Sequence, residues 1–450
     1  MGDSAHTTLP ELTPRKYLNA DALYAELRRQ FSKVRDATTG YPQIKLGDVL
    51  MSGFAMFSLK DPSLLAFDRR RKVEEHNLKS IYGMDQIPSD TQMRTRLDVI
   101  HPDLLRPAFK AVFRQAQRGK VLEPFVFMKG CYLISLDGTG YFSSEKLFSP
   151  YCLHKTNSKT GKTTYHLQTL AAVIVHPLKK EVIPLPPEPI SNQDGQTKND
   201  CERNAARRWL EKFRKDHPRL KAIMTEDGLS SNAPHIRDLK AHRCHFILGV
   251  KEGDHAYLAS YLKQAVKDGK DTEYDMPDEA DDRTHHFFRF FNKVPLNQSN
   301  QDLLVNVLEY WELKGGETKY FCWVTDFKIT RTNAYQIMLG GRTRWKVENE
   351  TLNTLKNQGY NFEHNYGLGQ KFLSMFFVSL MMLAFLVDQI QQIACPVFRT
   401  AWKKAGCKRD LWEKIRSAFH FFFLDSMEMI YRLIIAGPQR VPPIPLIDTS

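Results

Sequence analysis

No pair of cysteines in this chain stands at C-x-x-C spacing. The seven that occur are Cys131, Cys152, Cys201, Cys244, Cys322, Cys395 and Cys407. An odd, scattered set argues against a secreted disulfide framework and for a reducing cytosol. Zinc spacing is equally thin. Cys152 and His154 with His166 come nearest, and a single C-x-H falls short of the spacings that zinc sites use. The N-terminal MGDSAHTTLPELTPRKYL lacks the apolar stretch of a signal peptide. The longest apolar run, FLSMFFVSLMMLAFLV at 372–387, has 16 residues and ends at Asp388. A membrane span needs about 20, so this run reads as a helix buried in a large domain, and no membrane partner is expected.

No dense tract of one charge is present either. The excess of basic residues is +13, from 64 Lys and Arg against 51 Asp and Glu. Its tightest cluster is Arg69, Arg70, Arg71 and Lys72, which equally suits a solvated helix face. A chain this basic usually meets something anionic, most often nucleic acid. At 450 residues, 42% of them hydrophobic, it is long enough for two or three domains and a large core.

Periodicity divides the chain. Residues 1 to 14 look loose. From 15 to 125 the pattern is helical, as in ADALYAELRRQFSKV and PDLLRPAFKAVFRQAQRG. Between these lies IPSDTQMRTRLDVI, where Ser89 and Gln92 form a capping box. The helix it opens carries Arg94 and Arg96, which suit either phosphate contact or exposed bundle positions. From 131 the pattern becomes three strands, helix, strand, helix, strand. The strands are at 132–136, 165–175, 181–186, LKAIMTE and CHFILGV. The first helix repeats Cys201, Ala205, Trp209 and Phe213.

Two of these strands close on the same dipeptide. YLISL runs into Asp137-Gly138, and AIMTE runs into Asp227-Gly228. Asp-Gly is ordinary turn chemistry. If the two strands are neighbours, the carboxylates instead converge at one edge of the sheet. A third acid is expected on the helix TRWKVENETLNTLKNQ. Trp345, Glu348, Leu352 and Leu355 fall on one stripe at α-helical spacing, and Glu350 faces away. A carboxylate in an inward stripe is costly unless paired or metal-bound. A salt bridge from Glu348 to Arg344, one turn back, is the plain alternative.

With SLDGT, TEDGLSSN and RTRWKVENETLNTLKNQGYNFEHNYGLG in this order, the chain resembles the DDE transposases of bacterial insertion sequences. NQDGQTKNDCERNAARRWL adds to the likeness, which runs from about 85 to 370. The resemblance implies an α/β fold: a ribonuclease H-like mixed sheet flanked by helices, with an N-terminal helical domain and a β-rich insertion. The corresponding divisions are a helical DNA-binding region at 1–125, a catalytic domain at 126–251 and 319–395, an insertion at 252–318, and a C-terminal helical region with a Pro-rich tail at 396–450. The family's signature places Tyr, Arg, Glu and Lys at steps of three, four and seven. Arg344 and Glu348 fit it. Gly341 stands at the Tyr position and Leu355 at the Lys position, with Lys356 one residue on. In related transposases an aromatic residue of the insertion handles a flipped base. Trp311 is the candidate here, although a core position is the commoner place for a Trp of a β-domain.

The resemblance further implies Asp137, Asp227 and Glu348 as catalytic metal ligands, with Arg344, Trp345, Trp311, Lys356, Arg94 and Arg96 as DNA contacts. Phosphodiester cleavage and joining then use two Mg²⁺ ions, Mn²⁺ substituting, about 3.5–4 Å apart. The expected partners are double-stranded DNA, as element ends and target, and further copies of the chain on that DNA. The expected location is the bacterial cytoplasm, on the nucleoid. A non-catalytic end-binding repressor and a ribonuclease H-like nuclease without strand transfer remain open alternatives.

Overall fold

The computed structural model of the chain describes residues 12–36, 42–192, 199–279, 281 and 283–438. The loose N-terminus up to residue 11, the QDGQTK stretch at 193–198 and the Pro-rich tail from 439 lie outside the described residues.

Among the described residues six α-helices come first: α1 (Ala20–Phe31), α2 (Leu46–Ser58), α3 (Leu64–Val73), α4 (Glu75–Tyr82), α5 (Asp90–Asp98) and α6 (Arg106–Arg118). The expected capping box opens α5: Ser89 accepts from the Gln92 N–H, and the Gln92 side chain reaches back to the Ser89 N–H. Arg96 on this helix turns inward. It pairs with Asp36 and donates to the Ile44 carbonyl at 3.1 Å. Arg94 remains half exposed, 4.0 Å from Asp90 one turn back.

The centre is one sheet of eleven strands. These are β1 (Tyr132–Ser144), β2 (Leu153–Thr156), β3 (Thr163–Val175), β4 (Ile183–Pro184), β5 (Glu188–Ile190), β6 (Ala222–Glu226), β7 (His245–Gly249), β8 (Thr272–Pro277), β9 (Thr284–Asn297), β10 (Asn300–Lys314) and β11 (Glu317–Thr325). Their order is β2-β3-β1-β6-β7-β11-β10-β9-β8, with β4 and β5 also on β3. β1 to β6 and β6 to β7 are parallel; the other pairs are antiparallel. Parallel neighbours need crossovers, and α7 (Glu202–Asp216) and α8 (Ala233–Ala241) supply them. Ala205, Trp209 and Phe213 fix α7 to the sheet, the two rings stacking at 4.8 Å. The fold is therefore mixed α/β, a mixed sheet flanked by helices.

After α9 (Ala256–Lys267), β8 to β10 form an antiparallel meander, and β11 brings the chain back beside β7. These strands extend the central sheet rather than forming a second one. α10 (Ala334–Arg342) then leads into a 3₁₀ turn at Thr343–Trp345, a π-helical turn at Val347–Leu352 and the short α11 (Asn353–Asn357).

The apolar run, after its first residue Phe372 as N-cap, lies in α12 (Leu373–Ala394), followed by α13 (Pro396–Ala405), α14 (Lys408–Phe421) and α15 (Met427–Ala436). By length and composition α12 is apolar enough to cross a membrane, yet its apolar stretch is wholly buried here. It packs against α2, α5 and α6. The chain ends are knit around it. The Asp21 carboxylate accepts from the Met427 and Glu428 N–H groups, and Asn77 bonds the Phe419, Phe422 and Leu424 backbone.

Candidate active site

The register decides what becomes of the two Asp-Gly pairs. β1 and β6 pair in parallel from Tyr132↔Ala222 to Ser135↔Thr225. Asp137 and Asp227 each follow that last pair by two residues, so they stand level at the same edge. Past that edge the strands part. β6 ends at Glu226, and Asp227 caps the next turn by accepting the Leu229 N–H at 3.0 Å. β1 does not stop at Asp137, as its Asp-Gly had suggested. It continues to Ser144 because β3 stays paired beside it, Asp137 facing Ala171. Gly138 makes no turn. It makes room: a Cβ there would lie 2.2 Å from a carboxylate oxygen of Glu202, the first residue of α7.

The segment carrying Glu348 crosses the sheet at this level. Ser135 donates its hydroxyl to the Arg344 carbonyl at 3.0 Å, and Thr225 to the Gly340 carbonyl at 3.3 Å. Gly341, at the family's Tyr position, lies against the Trp323 indole, and a Cβ there would meet its nitrogen at 2.3 Å. The close approach excludes a side chain at that position.

The α-helical stripe needs correction. Trp345 is 53% exposed and Glu348 is exposed, whereas Leu352 and Leu355 are buried. Val347–Leu352 is a π-turn, so a step of 100° per residue does not carry through it. Glu348 reaches the acidic edge from an outward face. Arg344 forms no ion pair with it among the described residues; the Arg344 charge acts on Asp137 instead. Glu350 is placed elsewhere, on a cavity with Lys180 and Lys408.

Electrostatics report the convergence. The Asp137 carboxyl is pushed up to about 6, by burial first and then by Glu348; Arg344 draws it down, and Glu202 and Asp227 push it further up. Burial, Asp227 and Glu226 raise Glu202 in turn. Asp137, Glu202, Glu226 and Asp227 line a cleft of about 610 Å³. In its wall Glu226 and His235 are both buried and bonded at 2.9 Å. Burial works against charge on His235, yet Glu226 holds its pKa above the ordinary value. His255 closes the other side, 2.8 Å from Ser231, whose hydroxyl donates to the Gly228 carbonyl beside Asp227.

Carboxylate oxygens suit a hard cation such as Mg²⁺. Among the described residues, no three His, Cys, Asp or Glu side chains stand close enough to hold an ion as they are placed. That includes the set around Cys152, whose thiol contacts Ser149. Asp137 is thus surrounded by acids within electrostatic range but not gathered to ligand distances.

The remaining candidates scatter. Lys356 pairs with Glu363 at 3.5 Å, and Leu355, at the family's Lys position, is fully buried. Trp311 lines a second cavity of about 590 Å³ beside α9, against Tyr320 at 5.2 Å and under Arg289 at 5.2 Å. His255 borders both cavities. Arg94 and Arg96 belong to α5 in the helical body. Glu202 escaped sequence reasoning, because an acid in a first helical turn is ordinary capping chemistry. Its only sequence signal was its place in the CERNAARRWL segment.

No protein-family profile matches this chain, and no curated protein matches it either.

Proposed function

We propose that the chain is a metal-dependent DNA transposase with a ribonuclease H-like catalytic domain, acting on the ends of its own element. The observation that carries this reading is the level placement of Asp137 and Asp227 beyond Ser135↔Thr225, with Glu348 acting on Asp137 from the crossing segment. The order of an antiparallel pair, then two parallel strands with helical crossovers, supports the same reading. So does the net charge of +13, since phosphate contacts supply most non-specific DNA affinity.

In this reading Asp137, Asp227 and Glu348 hold divalent metal, which supplies an activated water or 3′-hydroxyl and stabilises the leaving oxygen. Asp137 is central, since the other carboxylates all act on it. Arg344 balances part of the acidic charge and faces the phosphate to be cut. Ser135 and Thr225 hold the Glu348 segment at the level of the two Asp residues. Further copies of the chain assemble with the DNA ends.

The test is incubation of the protein with DNA from either side of its own gene and Mg²⁺ or Mn²⁺, with mapping of the products. Nicks at two fixed ends, followed by joining of their 3′-hydroxyls to a second duplex, are expected. Cleavage without joining would leave a nuclease, and binding without cleavage an end-binding repressor.

A further inference from the structure

A third cavity, of about 390 Å³, lies behind the π-turn between α11, α12, α13 and the start of α14. Its chemistry is opposite to that of the acidic cleft. Lys180, Lys408 and Arg409 line it, with Glu350 as the lining acid. Among the described residues Lys408 has neither an ion pair nor a hydrogen bond through its ammonium; it stands over the Trp402 ring at 5.1 Å. Among the described residues Arg409 donates only to a neutral partner, the Asn357 carbonyl at 3.0 Å.

The cavity floor adds an amide. Gln389 of α12 is 3% exposed, and its Oε1 accepts the Val182 N–H at 3.1 Å. Its amide nitrogen donates to no described residue, although Gln389 lines the cavity.

Lys408 and Arg409 also occupy the first turn of α14, where the helix dipole disfavours cations. Burial pushes the Lys408 ammonium below its ordinary pKa; Asp388, Glu350 and Glu181 oppose this and Lys180 adds to it. Three cations, Lys180, Lys408 and Arg409, therefore line one space against a single lining acid, Glu350, among the described residues. An anion rich in acceptor oxygens would give Lys408, Arg409 and the Gln389 amide one shared partner.

We propose that this cavity binds a phosphate group, held by Lys408, Arg409 and the Gln389 amide, with Trp402 as an aromatic wall. The group belongs either to a DNA backbone or to a free nucleotide. The site is separate from the Asp137 cleft and does not depend on the chemistry there.

Cys407, the exposed residue preceding α14, also lines the cavity and serves as a reporter. Maleimide alkylation of the full chain is followed at Cys407, with the exposed Cys201 as internal reference. The probes are inorganic phosphate, deoxyadenosine monophosphate and a short DNA duplex, each against chloride at equal ionic strength. At ten times its dissociation constant a probe should slow Cys407 about tenfold; with inorganic phosphate Cys201 should be unchanged, while with duplex Cys201 reports the Asp137 cleft that it lines. Lys408→Met with Arg409→Gln should abolish this protection. Gln389→Leu, which adds no charge, should weaken it in a protein of unchanged circular dichroism. Protection by duplex at the lowest concentration assigns the DNA backbone, and protection by the mononucleotide first assigns a free nucleotide. No protection by any probe, equal protection by chloride, or full protection in the double variant overturns the proposal. None of these readouts needs DNA cleavage, so failure here is distinct from failure of the transposase reading.

Discussion

Ser135 and Thr225 face each other as the last pair of β1 and β6, and each hydroxyl donates upward into the segment that carries Glu348. Both are fully buried. Two strands and a crossing helix are thus fastened together two residues before each Asp. Ser135→Ala and Thr225→Ala should each remove one buried hydrogen bond and cost about 0.5–1.5 kcal/mol. The double variant is expected to melt lower and lose Mg²⁺-dependent cleavage while still binding DNA in a gel-shift assay. Cleavage at the parental rate would show that the fastening is structural only.

Asp137→Asn should uncouple stability from activity. Folded Asp137 holds its proton up to about pH 6, against 3.8 for the ordinary group. Its charged form therefore destabilises the fold above about pH 6. That penalty fades as pH falls through 6 and is gone below the ordinary value. The Asn variant should melt higher than the parent at pH 7 in EDTA, with the gap closing towards pH 4. It should also lose most of the Mg²⁺-induced rise in melting temperature and all cleavage. Equal Mg²⁺ shifts in both proteins would remove Asp137 from the metal site.

The three glutamates should separate by place. Glu348→Ala is expected to abolish cleavage, whereas Glu350→Ala, on the other cavity, should change it less than about threefold. Glu202→Gln removes one of the charges that raise Asp137. It should move the acid limb of the pH–rate profile to lower pH, because less opposing charge lets Asp137 ionise sooner. An unmoved limb would confine Glu202 to capping α7.

Arg344→Ala should weaken binding to element ends and lower the salt slope by about one. It should also raise the Asp137 pKa, since Arg344 is the cation that draws it down. An unchanged salt slope, with only the pH profile moved, would make Arg344 a partner of Asp137 and not of DNA.

The acidic edge was half legible in the sequence. Two apolar strands ending in Asp-Gly marked the right positions, because strand periodicity and turn residues are local signals. Their parallel, level register is a tertiary fact and came only with the fold. The same Asp-Gly rule misled at β1, where β3 keeps the backbone paired past Asp137 and no turn forms. The Glu348 stripe failed for a different reason. A π-turn leaves no mark in a periodicity count, so Trp345 and Glu348 were set on the wrong side. Glu202 was invisible, since its approach to Gly138 depends on packing between elements distant in sequence. The capping box at Ser89 and the buried apolar run were legible in full, each being a pattern within one helix.

Because α12 is the wall against which α2, α5 and α6 pack, the N-terminal helices cannot finish their core when they leave the ribosome. About 250 residues, the whole sheet included, separate the end of α6 from the start of α12. At roughly 5–20 residues per second, that is a wait of roughly 10–50 s with α2 uncovered. Early helices of this chain are therefore natural clients for a chaperone during synthesis, and a nascent chain halted before residue 373 should bind one far longer than a chain released at full length.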